Sequence, residues 1–384
     1  MPGLDPQSLR RVAAHWQGWI DSGRIVGGVL LVAQNGELRY ASARGWADRE
    51  QRLPMQRDTR LRLASLTKLL TSITALRLCE LGTLALDEPV CLWLPEFRPR
   101  LVDGRRPVIS LRHLLSHTAG LGYGFELAPG NAYHRAGVSD GLDTPRHGLA
   151  ENLRRLTGVP LLFEPGTAWR YSLATDVVGA IIEHVTGEPL GSAVARWVTG
   201  PLDMTLTGFP GEPNAAGGAD VAVAYKDTAQ RIGDQDVMTL DRGEARVSSG
   251  RAFDFHAYPS GGAGMLGAAQ DYLRLLECLR LGGRPILHPE TTERLVTNAI
   301  GEVAMRGRGP GWKFGLGAAV LVDPCLAGQR QGAGTWSWCG LYGSHYWVDP
   351  AAGISLLAMT NTAVAGAWGP FADGLVEAIY PAGG

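Results

Sequence analysis

The spacing of apolar residues along the chain changes period four times. Over residues 8 to 21 they recur at helical spacing between charged positions, which predicts an amphipathic helix. Two apolar runs then flank Asn35-Gly36 in RIVGGVLLVAQNGELRYASARG. That dipeptide is a strong hairpin signal, because both turn positions need positive φ. A sheet is expected to begin there. From Ser65 to Leu81 the helical period returns with Leu66, Leu69, Leu70, Ile73 and Leu76, and Gly82 follows as a stop. Further helices are predicted around 110–118, 149–157, 174–186 and 190–198, separated by Gly/Pro-rich loops. After about residue 310 the strand-like stretches FGLGAAVLV, GSHYWVDP and GISLLAMTN appear, and a last helix is predicted near 366–379. Strands at both ends of a helical middle predict an α+β fold. One α/β domain would be built from residues 1–75 and 215–384. A mainly helical insertion would span 76–214, with an active site at the junction. No internal repeat or low-complexity tract interrupts this organisation.

The 384 residues provide ample chain for a core, and 45% hydrophobic against 19% charged residues describes a globular, weakly charged protein. A formal net charge of −1 without a basic block gives no footprint for nucleic acid or an anionic membrane. Cys79, Cys91, Cys278, Cys325 and Cys339 are odd in number, widely spaced and free of any CxxC, which predicts a reducing compartment. The N-terminal stretch lacks the apolar core of a signal peptide, and no 18 apolar residues run together, so a cytoplasmic location is expected. The charge composition holds one anomaly. Only Lys68, Lys226 and Lys313 are lysines among 36 basic residues. Unlike arginine, a lysine can give up its proton, and Lys68 follows Ser65 by three residues.

At that spacing Ser65 and Lys68 share a helix face. Ser65 would sit at the helix start, where unpaired N–H groups and the helix dipole favour negative charge. A serine nucleophile fits there, with its own N–H available to an oxyanion. The apolar flanks RLRLASLTKLLTSITAL would bury Lys68 and lower its pKa. The bland alternative is a capping serine beside a solvated lysine. A second candidate is Tyr171, placed just before the helix that carries Val177, Val178, Ile181, Ile182 and Val185. Beside a lysine it can act as a base; otherwise it is a half-buried tyrosine. A third candidate is WSWCGLYGSHYWVDP. Its Gly340 and Gly343 suggest close approach of a backbone or a ligand, and Trp336, Trp338 and Trp347 would wall a cleft or fill the core.

Ser65-Leu66-Thr67-Lys68, Tyr171-Ser172-Leu173 and Trp338-Cys339-Gly340 follow the order of the three motifs of serine β-lactamases and penicillin-binding proteins. With LLSHTAGLGYG, FEPGTAWRYSLATDVVGAIIEHVTG and SGGAGMLGAAQDYLRLL, the chain resembles the family VIII carboxylesterases over residues 8 to 375. The resemblance implies a serine β-lactamase/D,D-peptidase-like fold: an antiparallel sheet flanked by helices, plus a mainly helical domain. It implies Ser65 as the acylated nucleophile and Lys68 with Tyr171 as its base system. The N–H groups of Ser65 and Leu341 would form the oxyanion hole. Tyr123, Trp338 and Gly340 would stand at the substrate, and Asp176 would make a structural hydrogen bond. Neither cofactor nor metal is implied, and the partner is a small-molecule ester.

Two departures bear on the substrate. The lactamase and peptidase pattern has Lys-Thr-Gly at the third motif and commonly an asparagine at the end of the second. Here Trp338 and Leu173 stand at those places. A carboxylate loses its cation and an acylamino chain loses its carboxamide, so a neutral ester with an apolar part is expected. The same residues would serve a β-lactamase or D,D-peptidase, or an acyltransferase that hands the acyl group to an alcohol. A non-catalytic sensor domain would have no use for Ser65, Lys68 and Tyr171 together. His113 and His117 stand four apart, but the glutamate of HExxH is missing, and a structural role for His117 is expected. There is no GxSxG elbow. Lys226 and Lys313 are expected at the surface.

Overall fold

The computed structural model describes residues 4–211, 221–240 and 243–381. Its centre is an eight-stranded sheet. The first three strands are β1 (Gly27–Gln34), β2 (Glu37–Asp48) and β3 (Leu53–Pro54). The other five are β4 (Trp312–Phe314), β5 (Ala319–Leu321), β6 (Trp336–Gly340), β7 (Ser344–Asp349) and β8 (Ile354–Thr360). The order is β3-β2-β1-β8-β7-β6-β5-β4, with every neighbouring pair antiparallel. The two ends of the chain therefore meet at the middle of the sheet, where Leu31 pairs with Leu357. The hairpin between β1 and β2 turns at Asn35 and Gly36, whose φ values of 53° and 86° are those the dipeptide predicts.

β1 is buried at all eight positions, so its sequence is a continuous apolar run rather than an alternation. Leu30, Val32, Leu356 and Ala358 face a layer made by helices α1 (Pro6–Asp21) and α7 (Pro370–Ile379), with Trp16 and Phe371 at its core. Val29, Leu31, Leu357 and Met359 face the larger core on the other side. There α2 (Thr67–Glu80) and α6 (Ala269–Arg280) cover the sheet, and α3 (Leu111–Leu115), α4 (Leu149–Thr157) and α5 (Ala174–Thr186) pack beyond them.

The structure differs from expectation in four places. α2 is buried around nearly its whole circumference, not on one apolar face. Its polar positions are small hydroxyls that stay satisfied inside: Thr74 donates to the Leu70 carbonyl at 2.9 Å and Thr71 to the Gly261 carbonyl at 2.8 Å. The helix expected over 110–118 stops at Leu115, because His117 adopts φ 56°. α6, the helix Pro289–Leu295 and the hairpin Asp236–Leu240/Gly243–Val247 are elements that the hydrophobic pattern did not predict. Finally, the boundary between residues 75 and 76 falls inside α2, and that between 214 and 215 lies outside the described residues. We propose a sheet domain made from both ends with a helical insertion that begins after α2, at Leu81–Gly82.

Candidate active site

Ser65 sits on a 3₁₀ turn, Ala64–Leu66, that leads directly into α2. The preceding Ala64 is held at φ 44°, a region that residues with a side chain seldom occupy. The end of β6 presses on this turn. A Cβ at Gly340 would lie 2.4 Å from the Leu63 carbonyl oxygen. Only glycine lets the third motif approach the Ser65 turn backbone to backbone.

Lys68 follows within the first turn of α2 and is buried. Its Nζ donates to the Gly262 carbonyl at 2.7 Å and to Ser65 Oγ at 3.3 Å. The Tyr171 hydroxyl, arriving from the loop ahead of α5, donates to the same Oγ. Lys68 Nζ stands 4.6 Å from the centre of the Tyr171 ring and 5.1 Å from that of Tyr123. Burial pulls Lys68 down to about 7, against the opposing influence of Asp176, Cys339 and Asp140. Burial pushes Tyr171 well above the ordinary phenol range, although the Ser65 hydrogen bond acts the other way. Near neutral pH the lysine thus titrates while the tyrosine keeps its proton.

Gly262 is a site residue that the sequence reading did not single out. Its carbonyl fixes Lys68, and its Cα faces three polar groups. A Cβ there would meet Asp176 Oδ2 at 2.6 Å, the Tyr123 hydroxyl at 2.9 Å and Lys68 Nζ at 3.4 Å. The signal available was the glycine cluster SGGAGMLG, which says that backbones meet but not which ones. Gly262→Ala is expected to cost about 1–3 kcal/mol of stability through overpacking and to lower kcat by displacing Lys68. Urea unfolding and ester kinetics check this; a variant with unchanged kcat would show that the Lys68 position is not critical.

The other expected residues divide into two groups. Ser65, Tyr171, Trp338 and Leu341 line a cavity of about 500 Å³. The Trp338 ring stands 5.2 Å from Tyr171 and 5.3 Å from Phe314. Tyr123 and Gly340 are not among its lining residues. Tyr123 is buried beside Lys68, and Gly340 serves the packing just described. Asp176 is fully buried beside Gly262, where the Ser260 hydroxyl and the Gly262 N–H act on its carboxylate and oppose the effect of burial. Burial raises its carboxyl pKa.

His117 and His113 diverge. His117 Nδ1 meets Ser172 Oγ at 3.1 Å and braces the Tyr171 loop, while His113 completes the capping box of α3. No group of three potential metal ligands occurs among the described residues. Nor are Lys226 and Lys313 simple surface lysines. Both are half-buried; Lys226 pairs with Asp236 at 2.8 Å, and Lys313 donates to the Val303 carbonyl at 3.1 Å.

A family model described as Beta-lactamase matches residues 10–374. The chain belongs to the beta-lactamase family. Among members of that family, Esterase EstB of Burkholderia gladioli is 46% identical over 98% of this chain and 96% of its own. The solved structure of EstCE1, described as a hydrolase with promiscuous acyltransferase activity, superposes with a TM-score of 0.91. It is 44% identical and is matched over 97% of this chain and 99% of its own. Simvastatin synthase from Aspergillus terreus matches with a TM-score of 0.76 and 25% identity over 98% of each chain. These likenesses bear out the β-lactamase-like α+β fold and the resemblance to esterases of this superfamily.

Proposed function

We propose that the protein is a serine carboxylesterase that hydrolyses short-chain or apolar esters through an acyl-enzyme on Ser65. The observation that carries this is the convergence of a titratable amine and a protonated phenol on one serine oxygen at the floor of an aromatic-walled cavity. The likeness to EstB and EstCE1 supports it.

In the proposed reaction, neutral Lys68 takes the Ser65 hydroxyl proton. One N–H of Lys68 is engaged by Gly262, which leaves its lone pair free for that task. Oγ bonds to the ester carbon, and the carbonyl oxygen becomes an oxyanion held by the Ser65 and Leu341 N–H groups. Collapse breaks the bond to the alcohol. The leaving alkoxide takes a proton from Tyr171, which Lys68 ammonium replaces. Water then repeats the sequence on the acyl-enzyme and releases the acid. An alcohol in place of water gives acyl transfer, and the acyltransferase activity described for EstCE1 makes that a second outcome of the same intermediate.

Trp338 and Leu173 in place of a cation and a carboxamide support the ester over a β-lactam. No helix among the described residues is long and apolar enough to cross a membrane. The five cysteines are free, which supports a cytoplasmic setting. The test is a comparison of a p-nitrophenyl butyrate with a chromogenic cephalosporin. Ester turnover is expected to exceed cephalosporin turnover in kcat/KM by about a hundredfold or more, some 2.7 kcal/mol in transition-state binding. The reverse order would overturn the esterase reading in favour of a β-lactamase.

A further inference from the structure

The chemistry proposed for Ser65 leaves the charged residues of its cavity, Glu126, Arg170, Arg306, Arg308 and Asp373, unused. Arg308 precedes β4 and lines the same cavity as the nucleophile. Its guanidinium lies 4.6 Å from the centre of the Trp312 indole and 5.6 Å from that of Trp338. One end is anchored, with Nη1 donating to Ser337 Oγ at 2.6 Å. No carboxylate among the described residues forms an ion pair with it. Burial lowers its pKa, with only Cys339 and Tyr346 acting the other way. Tyr346 faces Trp338 across the β6–β7 ladder and lines the cavity too, and its buried hydroxyl has no hydrogen-bond partner among the described residues.

A guanidinium partly withdrawn from water and without a counter-ion is costly, and an anion that reaches it recovers part of that cost. Arginine offers five donors, so the anchored Nη1 leaves others free to meet a planar carboxylate. Trp338 lies between this cation and Tyr171, with the Tyr171 ring 5.2 Å from its own. An apolar chain laid along Trp338 with its ester at Ser65 would therefore bring its far end towards Arg308. The missing lysine of the third motif does not leave the cavity without a cation.

We propose that Arg308 is a specificity-determining residue that binds a carboxylate at the far end of one chain of the ester, making ω-carboxy esters the preferred substrate class. This rests on the esterase reading of Ser65. The probes are two anionic esters, the monoethyl ester of adipic acid and the acetate ester of ω-hydroxyhexanoic acid. Their neutral partners are ethyl hexanoate and hexyl acetate. Wild type should prefer at least one anionic ester over its partner. Arg308→Gln should raise KM for that ester about tenfold or more, as loss of a charged hydrogen bond implies, with a much smaller change in kcat. Arg308→Lys should recover part of the loss. The ester that responds identifies whether the acyl or the alcohol chain reaches Arg308. An anionic-to-neutral ratio that is the same in wild type and Arg308→Gln for both pairs overturns the proposal.

Binding separates this from the reading on which it rests. Ser65→Ala protein, titrated with monoethyl adipate and followed by tryptophan fluorescence, should bind about tenfold more tightly than Ser65→Ala/Arg308→Gln. Equal affinities of the two proteins for both anionic probes overturn the carboxylate site whatever the nucleophile proves to be. Ester turnover that survives Ser65→Ala overturns the esterase mechanism but leaves the affinity comparison standing.

Discussion

Ser65→Ala is expected to lower ester kcat/KM by ~10⁴-fold or more, the scale on which acyl-transfer enzymes lose rate when the nucleophile alone is removed. The residual rate would come from the cavity and the N–H groups of Ser65 and Leu341, which the substitution keeps. The fold should be unaffected. Ser65 is half-buried, and its Oγ receives hydrogen bonds rather than bracing the turn. Mass spectrometry gives an independent readout. A slow ester should leave an acyl adduct on wild type and none on Ser65→Ala. An adduct that persists on the variant would place the nucleophile elsewhere.

Lys68→Arg is the second large effect, a loss of about 10³-fold in kcat/KM, close to that of Lys68→Ala. If a fixed positive charge were enough to hold Tyr171 as phenolate, arginine would retain much of the activity. Burial places Lys68 at about 7 and Tyr171 far higher, so the amine is the group that can change state near neutrality. Arginine cannot lose its proton there. The same ordering sets the pH dependence. Neutral Lys68 exists above its pKa, so kcat/KM should rise with pH through about 7 and then level off. A profile that falls through this range would favour the charged-lysine alternative, as would an active Lys68→Arg enzyme.

Stability should rise with pH as well. The folded pKa of Lys68 lies below its ordinary 10.5, so the folded state binds fewer protons between about 7 and 10.5. The destabilising effect of Lys68 is full below that window and fades as pH rises through it. Lys68→Met should therefore melt higher than wild type at pH 6, with the difference shrinking by pH 10. An inactive but more stable variant is the expected signature of a buried group kept for chemistry.

Much of this site is legible in local sequence because its parts obey local rules. Ser65 and Lys68 are brought together by one helical turn, and Tyr171 is recognisable from its place before an apolar helix. Asn35-Gly36 announces its hairpin through backbone sterics. Gly262 and Arg308 were not legible in the same way. Gly262 meets Lys68 from 194 residues away. Arg308 is one arginine among 33 in the sequence, and what distinguishes it is its place in the Ser65 cavity beside Trp312 and Trp338, with no ion pair among the described residues. Tyr123 and Gly340 show the converse. Both are close to the reacting groups, but whether each lines the cavity or packs behind it depends on the direction from which its neighbours approach.

By itself, then, the sequence determined the candidates for the proposed acylation chemistry, one serine, one lysine and one tyrosine, in a β-lactamase-like arrangement of strands around helices. Those choices follow from spacing and side-chain type, which act over a few residues. Tertiary structure decided the states of these groups and the shape of the space in front of them. The Lys68 pKa depends on how completely α2 is enclosed, and the placing of Arg308 depends on Trp312, Trp338 and Ser337 converging from two strands. Desolvation and the pairing of charges are sums over neighbours in space, and the linear order of residues does not contain those neighbours.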